Sequence, residues 1–302
     1  MAKIDYNLEL QKYVDYTDHM INYHATWKRE DGVLNWVGSD NPTRFVNNQK
    51  TKLKVLLDYY DDKDMEYHIN SHNCRSKLDF TEVEEEQYPV DIFIGCSHTF
   101  GTGHLWEHTY PYFVSKETGN IIINLGAGGS GIEYAFNRLL CHINTMNVKN
   151  VFHFQPIYSR WLVRHDNRFK HILQPEDEQS DMFFTQDYVI DNHLDYGAIA
   201  MNYYKSIQMI RQTCNDYRVP YFYSDGADWL RRRNKYKGMT MREAKQFIKD
   251  GDVAARDLMH FPLSWQKEIA EKFKNMLWMT PMGNIDSVLD PKITRVQRSR
   301  LV

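Results

Sequence analysis

The sequence predicts a three-layer α/β/α sandwich around a parallel sheet, and three observations predict it. Short apolar runs recur and stop at turn residues: Val90-Asp91-Ile92-Phe93-Ile94 before Gly95, Ile121 to Leu125 before Gly126, and Val148 to Phe154 before Pro156. Helical spacing lies between them, in Ile132, Ala135, Phe136, Leu139, Leu140 and Ile143, and again from Tyr196 to Cys214. Strands that alternate with helices build a parallel sheet covered on both faces.

In chain order, residues 1–87 read as an N-terminal accessory segment. Helical patterns run over Leu8 to Tyr23 and Gln49 to Tyr60, separated by the turn-rich Gly38-Ser39-Asp40-Asn41-Pro42. The acidic stretch Glu82 to Glu86 reads as its boundary. Residues 88–277 read as the main domain, with an insertion at about 158–192, a fourth strand at Pro220 to Tyr223, and helical stretches on either side of Arg256 to Pro262, the second from Ser264 to Leu277. Residues 278–302 read as a tail that turns basic and extended from Asp290.

Composition narrows the function. The 302 residues carry a net charge of −3, which supplies no field toward nucleic acid or anionic lipid. The longest basic run, Arg231 to Lys237, is short enough to be a solvated helix end. Cys74, Cys96, Cys141 and Cys214 are scattered without a C-x-x-C pair, which suits a reducing compartment and indicates neither a zinc ribbon nor a disulfide framework. The N-terminus lacks an apolar signal core, and no window approaches the ~18 apolar residues of a membrane span. A cytoplasmic protein with no membrane and no nucleic-acid partner is expected; the oligomeric state is open.

Ligands of parallel sheets bind beyond the carboxyl ends of the strands. Gly95-Cys96-Ser97, Asn124 to Gly129, and Gln155 all follow strands and should meet on one rim. Ser97 opens a loop of small residues, where a hydroxyl is exposed and its own N–H is free, as an acyl-transfer nucleophile requires; a helix N-cap is the plainer reading of such a serine. Asp257-Leu258-Met259-His260 precedes a helix and could supply a base and the carboxylate that orients it.

Taken together, these blocks resemble the SGNH (GDSL-like) hydrolases. Gly95-Cys96-Ser97 stands for Gly-Asp-Ser, with Cys96 in place of Asp. Asn124-Leu125-Gly126-Ala127-Gly128-Gly129 is similar to the second block, and Asp257 to His260, followed by Phe261-Pro262, to the last. Tyr67-x-x-Asn70-Ser71-x-x-x-Arg75 and Glu107-x-Thr109-Tyr110-Pro111 also look like motifs of such esterases. The resemblance implies a flavodoxin-like SGNH fold and a serine esterase with no cofactor and no metal. It implies Ser97 as nucleophile, His260 as base and Asp257 as its orienter. The substrate class it implies is a small-molecule or carbohydrate ester, above all an O-acetyl group on a carbohydrate. The oxyanion hole would be the N–H groups of Ser97 and Gly129 with the Gln155 amide. Gln155 stands in for a departed Gly-x-Asn-Asp block; an amide that merely bonds a loop backbone is its structural reading. An idle SGNH-like binding or structural protein is the alternative function.

Two competing motifs are weaker. Gly126-Ala127-Gly128-Gly129-Ser130-Gly131 is a literal G-x-G-x-x-G, but the next strand ends at Gln155 and not at a ribose-binding carboxylate. His104-Leu105-Trp106-Glu107-His108 matches H-x-x-E-H, yet no later helix offers a third zinc ligand.

Overall fold

A computed structural model describes residues 32–155, 161–165, 168–172, 196–226, 236 and 238–279. Its centre is a four-stranded parallel sheet of β3 (Pro89–Gly95), β4 (Ile121–Asn124), β5 (Asn147–Gln155) and β8 (Tyr221–Asp225) in the order β4-β3-β5-β8. By chain position this is order 2-1-3-4, the beginning of a flavodoxin-like sheet. Around it lie β1 (Val33–Leu34) paired antiparallel with β2 (Tyr67–His68), and the hairpin β6 (Trp161–His165) with β7 (Arg168–Ile172) inside the expected insertion.

The α-helices among the described residues are α1 (Pro42–Gln49), α2 (Phe80–Glu86), α3 (Ser97–Phe100), α4 (Tyr110–Thr118), α5 (Ile132–His142), α6 (Tyr196–Asp216), α7 (Met241–Lys249) and α8 (Leu263–Met279). None among the described residues is long and apolar enough to cross a membrane.

Side-chain alternation divides the sheet between two cores. Ile92, Ile94, Val151, Tyr221 and Tyr223 face Ala135 and Leu139 of α5 and Ile207 and Ile210 of α6. Phe93, Phe152, Phe154 and Phe222 face Tyr110 and Val114 of α4 and Ile269 and Phe273 of α8. Phe93, Phe152 and Phe222 are in register across three strands, with ring centroids 4.9 and 5.1 Å apart. Burying each such ring contributes roughly 1.5–3 kcal/mol, so the ladder fixes register as well as stability.

The N-terminal region departs from the expected elements. The pattern over Gln49 to Tyr60 forms two 3₁₀ turns, Lys54–Leu56 and Asp58–Tyr60, and no α-helix. Thr51 is the cause: its hydroxyl donates to Asn48 O (2.7 Å) and accepts from Leu53 N (3.1 Å), which diverts the backbone from a helical ladder. A helix forms instead at α1, where Asn41 caps the N–H of Arg44 (2.9 Å) and Pro42 takes the first helical position. The acidic stretch Glu82 to Glu86 is the body of α2, capped by Asp79. The predicted Leu8 to Tyr23 helix, the basic tail, and all of the basic run except Tyr236 lie outside the described residues.

Candidate active site

The expected rim forms. Gly95, Asn124 and Gln155 end adjacent parallel strands, and Gly95 pairs with Phe154. Gly95 is required where it stands. Its φ is +148°, and a Cβ there would lie 2.2 Å from Phe154 O. The chain then turns through Cys96 into α3, whose first residue is Ser97.

The loop after β4 is tied to this turn. Asn124 Nδ2 donates to Thr99 O (2.9 Å), Ala127 N to Gly95 O (3.2 Å), and Ser130 Oγ to Gly95 O (3.0 Å). A Cβ on Gly126 would sit 2.6 Å from Phe100 N, so only glycine permits this approach. Gly129 has φ +75° and open space where a Cβ would project.

Asp257 and His260 form a close pair. His260 Nδ1 donates to Asp257 Oδ2 at 2.7 Å. Asp257 Oδ1 accepts from the N–H groups of Met259 (3.0 Å) and His260 (3.2 Å). Leu258 makes this wrap possible by adopting φ +53°, a left-handed conformation that costs a side-chain-bearing residue about 1–2 kcal/mol. Asp257 is 2% exposed. Burial pushes its carboxyl toward protonation, but His260 and the hydrogen bonds of His260, Ser39 and Met259 outweigh it and hold the group below the usual carboxylate range.

The pair and the serine turn belong to one packed unit. Arg256 N donates to Gly103 O (2.8 Å), just beyond α3. His98, adjacent to Ser97, stacks on Phe261 at 3.8 Å between ring centroids and meets His260 edge-on at 4.9 Å. Among the described contacts, however, no hydrogen bond joins Ser97 Oγ to His260.

No protein-family model matches the chain, and no curated protein matches it. Solved structures are similar to the chain, among them a Desulfitobacterium hafniense DCB-2 protein assigned to the lipolytic G-D-S-L family. The similarity covers 62% of this chain and 98% of that one, at 9% identity and a TM-score of 0.33. So slight a likeness carries no argument, and the functional reading rests on the chain's own residues.

Gln155 ends β5 and is 1% exposed. Its carbonyl accepts from Tyr203 Oη (3.2 Å), and His153, two residues back on the same strand face, bonds Tyr221 Oη through Nδ1 (2.8 Å). His153 itself is pushed down to about 3 by burial and is neutral.

The H-x-x-E-H stretch forms a 3₁₀ turn, Trp106–His108, rather than the α-helix that would align its imidazoles. His104 Nε2 donates to Phe261 O (2.5 Å), while His108 lies 3.4 Å from Tyr59 Oη. Burial lowers His104 to about 3, so it braces the His260 loop as a neutral ring. Among the described residues, no three His, Cys, Asp or Glu side chains converge as a metal would need.

Two contributions were not assigned from sequence. Ser39 Oγ donates to Asp257 Oδ2 at 2.6 Å. Arg75, quoted above only as part of a motif, is 1% exposed and donates to Phe100 O (3.1 Å), Gly101 O (2.7 Å) and His104 O (2.8 Å). It thus closes the C-terminal end of α3, with its guanidinium 4.5 Å from the centre of the Tyr67 ring. Arg75→Leu keeps apolar bulk but strands these carbonyls. We expect it to cost about 3–5 kcal/mol, read from the urea midpoint. A loss under about 1 kcal/mol would show that the turn holds without it.

Proposed function

We propose that this chain is a serine esterase of the SGNH hydrolase type, acting on an ester through an acyl-Ser97 intermediate. The observation that carries the reading is the Asp257–His260 pair, 2.7 Å apart, on a loop packed against the turn that bears Ser97. With Nδ1 donating to Asp257, a neutral His260 leaves Nε2 as a lone-pair acceptor, the tautomer a general base needs.

In the proposed reaction, Ser97 Oγ attacks the ester carbonyl carbon while His260 Nε2 takes its proton. The tetrahedral intermediate collapses, the C–O bond to the alcohol breaks, and His260 returns the proton to the departing oxygen. Water, deprotonated by His260, then attacks the acyl carbon and releases the acid and Ser97 Oγ–H. Hydrogen bonds between nucleophile and base often tighten only when substrate binds, so the unlinked Ser97 hydroxyl is compatible with this sequence. The N–H groups of Ser97 and Gly129, with the Gln155 amide, would hold the oxyanion. On the resemblance stated above, an O-acetylated carbohydrate is the substrate class to test.

Two observations favour the idle SGNH-like alternative: the missing Ser97–His260 hydrogen bond, and the near-complete burial of Gln155 at the end of β5. Reaction with a fluorophosphonate decides between the readings. We expect one adduct by intact mass, mapped to Ser97. Gln155→Ala should still label, but ~10²-fold more slowly if its amide holds the oxyanion. A folded protein that takes no label at Ser97 would overturn the esterase reading.

A further inference from the structure

We propose that the Gly38-Ser39-Asp40 turn of the N-terminal segment is an integral arm of this site, with Ser39 as a positioning residue for the Asp257–His260 pair. The kinetic consequence rests on the esterase reading; the geometric one does not.

The turn is tightly built. Val37 and Asp40 exchange backbone hydrogen bonds of 2.8 and 3.0 Å, which forces Gly38 to φ +57° and sets Ser39 at the tip. Asp40 is fully buried and anchors the turn. It accepts from Arg256 Nε (2.9 Å) and Nη2 (2.7 Å) and from Tyr67 Oη (2.6 Å). Arg256 also stacks on Trp36, 3.7 Å from the ring centre, and its Nη2 donates to Asn35 O. Tyr67 Oη in turn accepts from Gly103 N (2.8 Å). Asn48 of α1 donates to Asp257 O (3.2 Å) from the next turn of chain. The N-terminal segment therefore grips both the His260 loop and the serine turn.

Fastening alone would need only Asp40 and Arg256. The Ser39 hydroxyl goes further, because it donates to Asp257 Oδ2, the same oxygen that receives His260 Nδ1–H. Two donors on one carboxylate oxygen share its charge. Each one weakens the pull on the other and fixes the carboxylate plane. Ser39 thereby moderates how strongly Asp257 favours the imidazolium form of His260.

Other charged or titratable groups face the pair from every packed element, and Ser39→Ala leaves them in place. Asp40 and Arg256 pair with each other. Burial holds the Tyr60 and Tyr236 hydroxyls well above 10 and so neutral. His104 is neutral, and His98 is the ring beside His260 whose signal must be followed in the same titration.

The test is an NMR titration of the His260 ring in the full chain, with kcat/KM against pH on p-nitrophenyl acetate. Ser39→Ala should raise the His260 midpoint by ~0.5–1 unit, because the unshared carboxylate holds the imidazolium more tightly. The acid limb of kcat/KM should move up with it, and kcat should fall about 10-fold with KM within about 2-fold. Ser39→Thr, which keeps the hydroxyl, should restore both. A folded Ser39→Ala with an unchanged or lowered midpoint would overturn the proposal. If that variant does not fold, Ser39→Cys makes the same comparison, since a thiol is a weak donor. A raised midpoint in a protein without esterase turnover would sink the esterase reading and leave the positioning role standing. Turnover with no shift in midpoint would do the reverse.

Discussion

Ser97→Ala, His260→Ala and the double variant should lose esterase turnover to the same depth, ~10⁶-fold each, because residues that act as one unit are not additive. Attack requires that the Ser97 proton leave as the carbon–oxygen bond forms. Without the imidazole the hydroxyl is a poor nucleophile, and without the hydroxyl the imidazole has nothing to activate but water. Either loss removes the same pathway. The cost corresponds to about 8 kcal/mol of barrier. Some hydrolysis should remain in all three, since the backbone donors at Ser97 and Gly129 would persist. The measurement is kcat on p-nitrophenyl acetate for four proteins of matched thermal stability. Additive losses, with the double variant far below either single one, would mean that Ser97 and His260 act independently. Full activity in Ser97→Ala would move the nucleophile elsewhere.

The sheet and the Asp257–His260 pair were legible in the sequence for a common reason: both are local. A strand declares itself by an apolar run that stops at Gly or Pro, and Asp257 reaches His260 across three residues. The flanking helices α5, α6 and α8 were legible from apolar spacing, and their ends fell within two residues of expectation. What was not legible depends on contacts between distant parts of the chain. Ser39 and Asp257 are 218 positions apart, and Gly38-Ser39-Asp40-Asn41-Pro42 carries only the composition of a turn. No local rule reveals that its tip donates to a carboxylate. Arg75 was visible as a letter in a motif, but its part in closing α3 emerges only once the fold brings Phe100, Gly101 and His104 around it. The misplaced helix near Gln49 is different. Asn41-Pro42 is a start signal that sequence reasoning could have used, and Thr51 a competitor it could have weighed.

Asp257→Asn is expected to lower kcat by ~10⁴-fold with little change in KM, even though the side chain keeps its shape. The carboxylate has four acceptor sites and four donors: Met259 N, His260 N, Ser39 Oγ and His260 Nδ1. An amide must place an NH₂ group against one pair of them. Facing the backbone it meets two N–H donors that cannot move. Facing the other way it meets Ser39, which can rotate its hydroxyl, and His260, which can bond only by presenting Nδ1 as an acceptor. The second arrangement costs less, and it puts the imidazole proton on Nε2. A ring protonated there cannot take a proton from Ser97. Stability should change with pH in a way that separates this from general damage. Asp257 is held below its ordinary value, so its contribution to folding is complete above about pH 4, where the unfolded carboxyl is also ionised. That contribution fades as pH falls toward the lower folded value, because only the unfolded state takes up the proton. The urea midpoint of the wild type should therefore drop more steeply below pH 4 than that of Asp257→Asn, which has no such proton to bind. Parallel curves would mean that Asp257 titrates alike in both states. An Asn variant with near-wild-type kcat would remove the carboxylate from the mechanism.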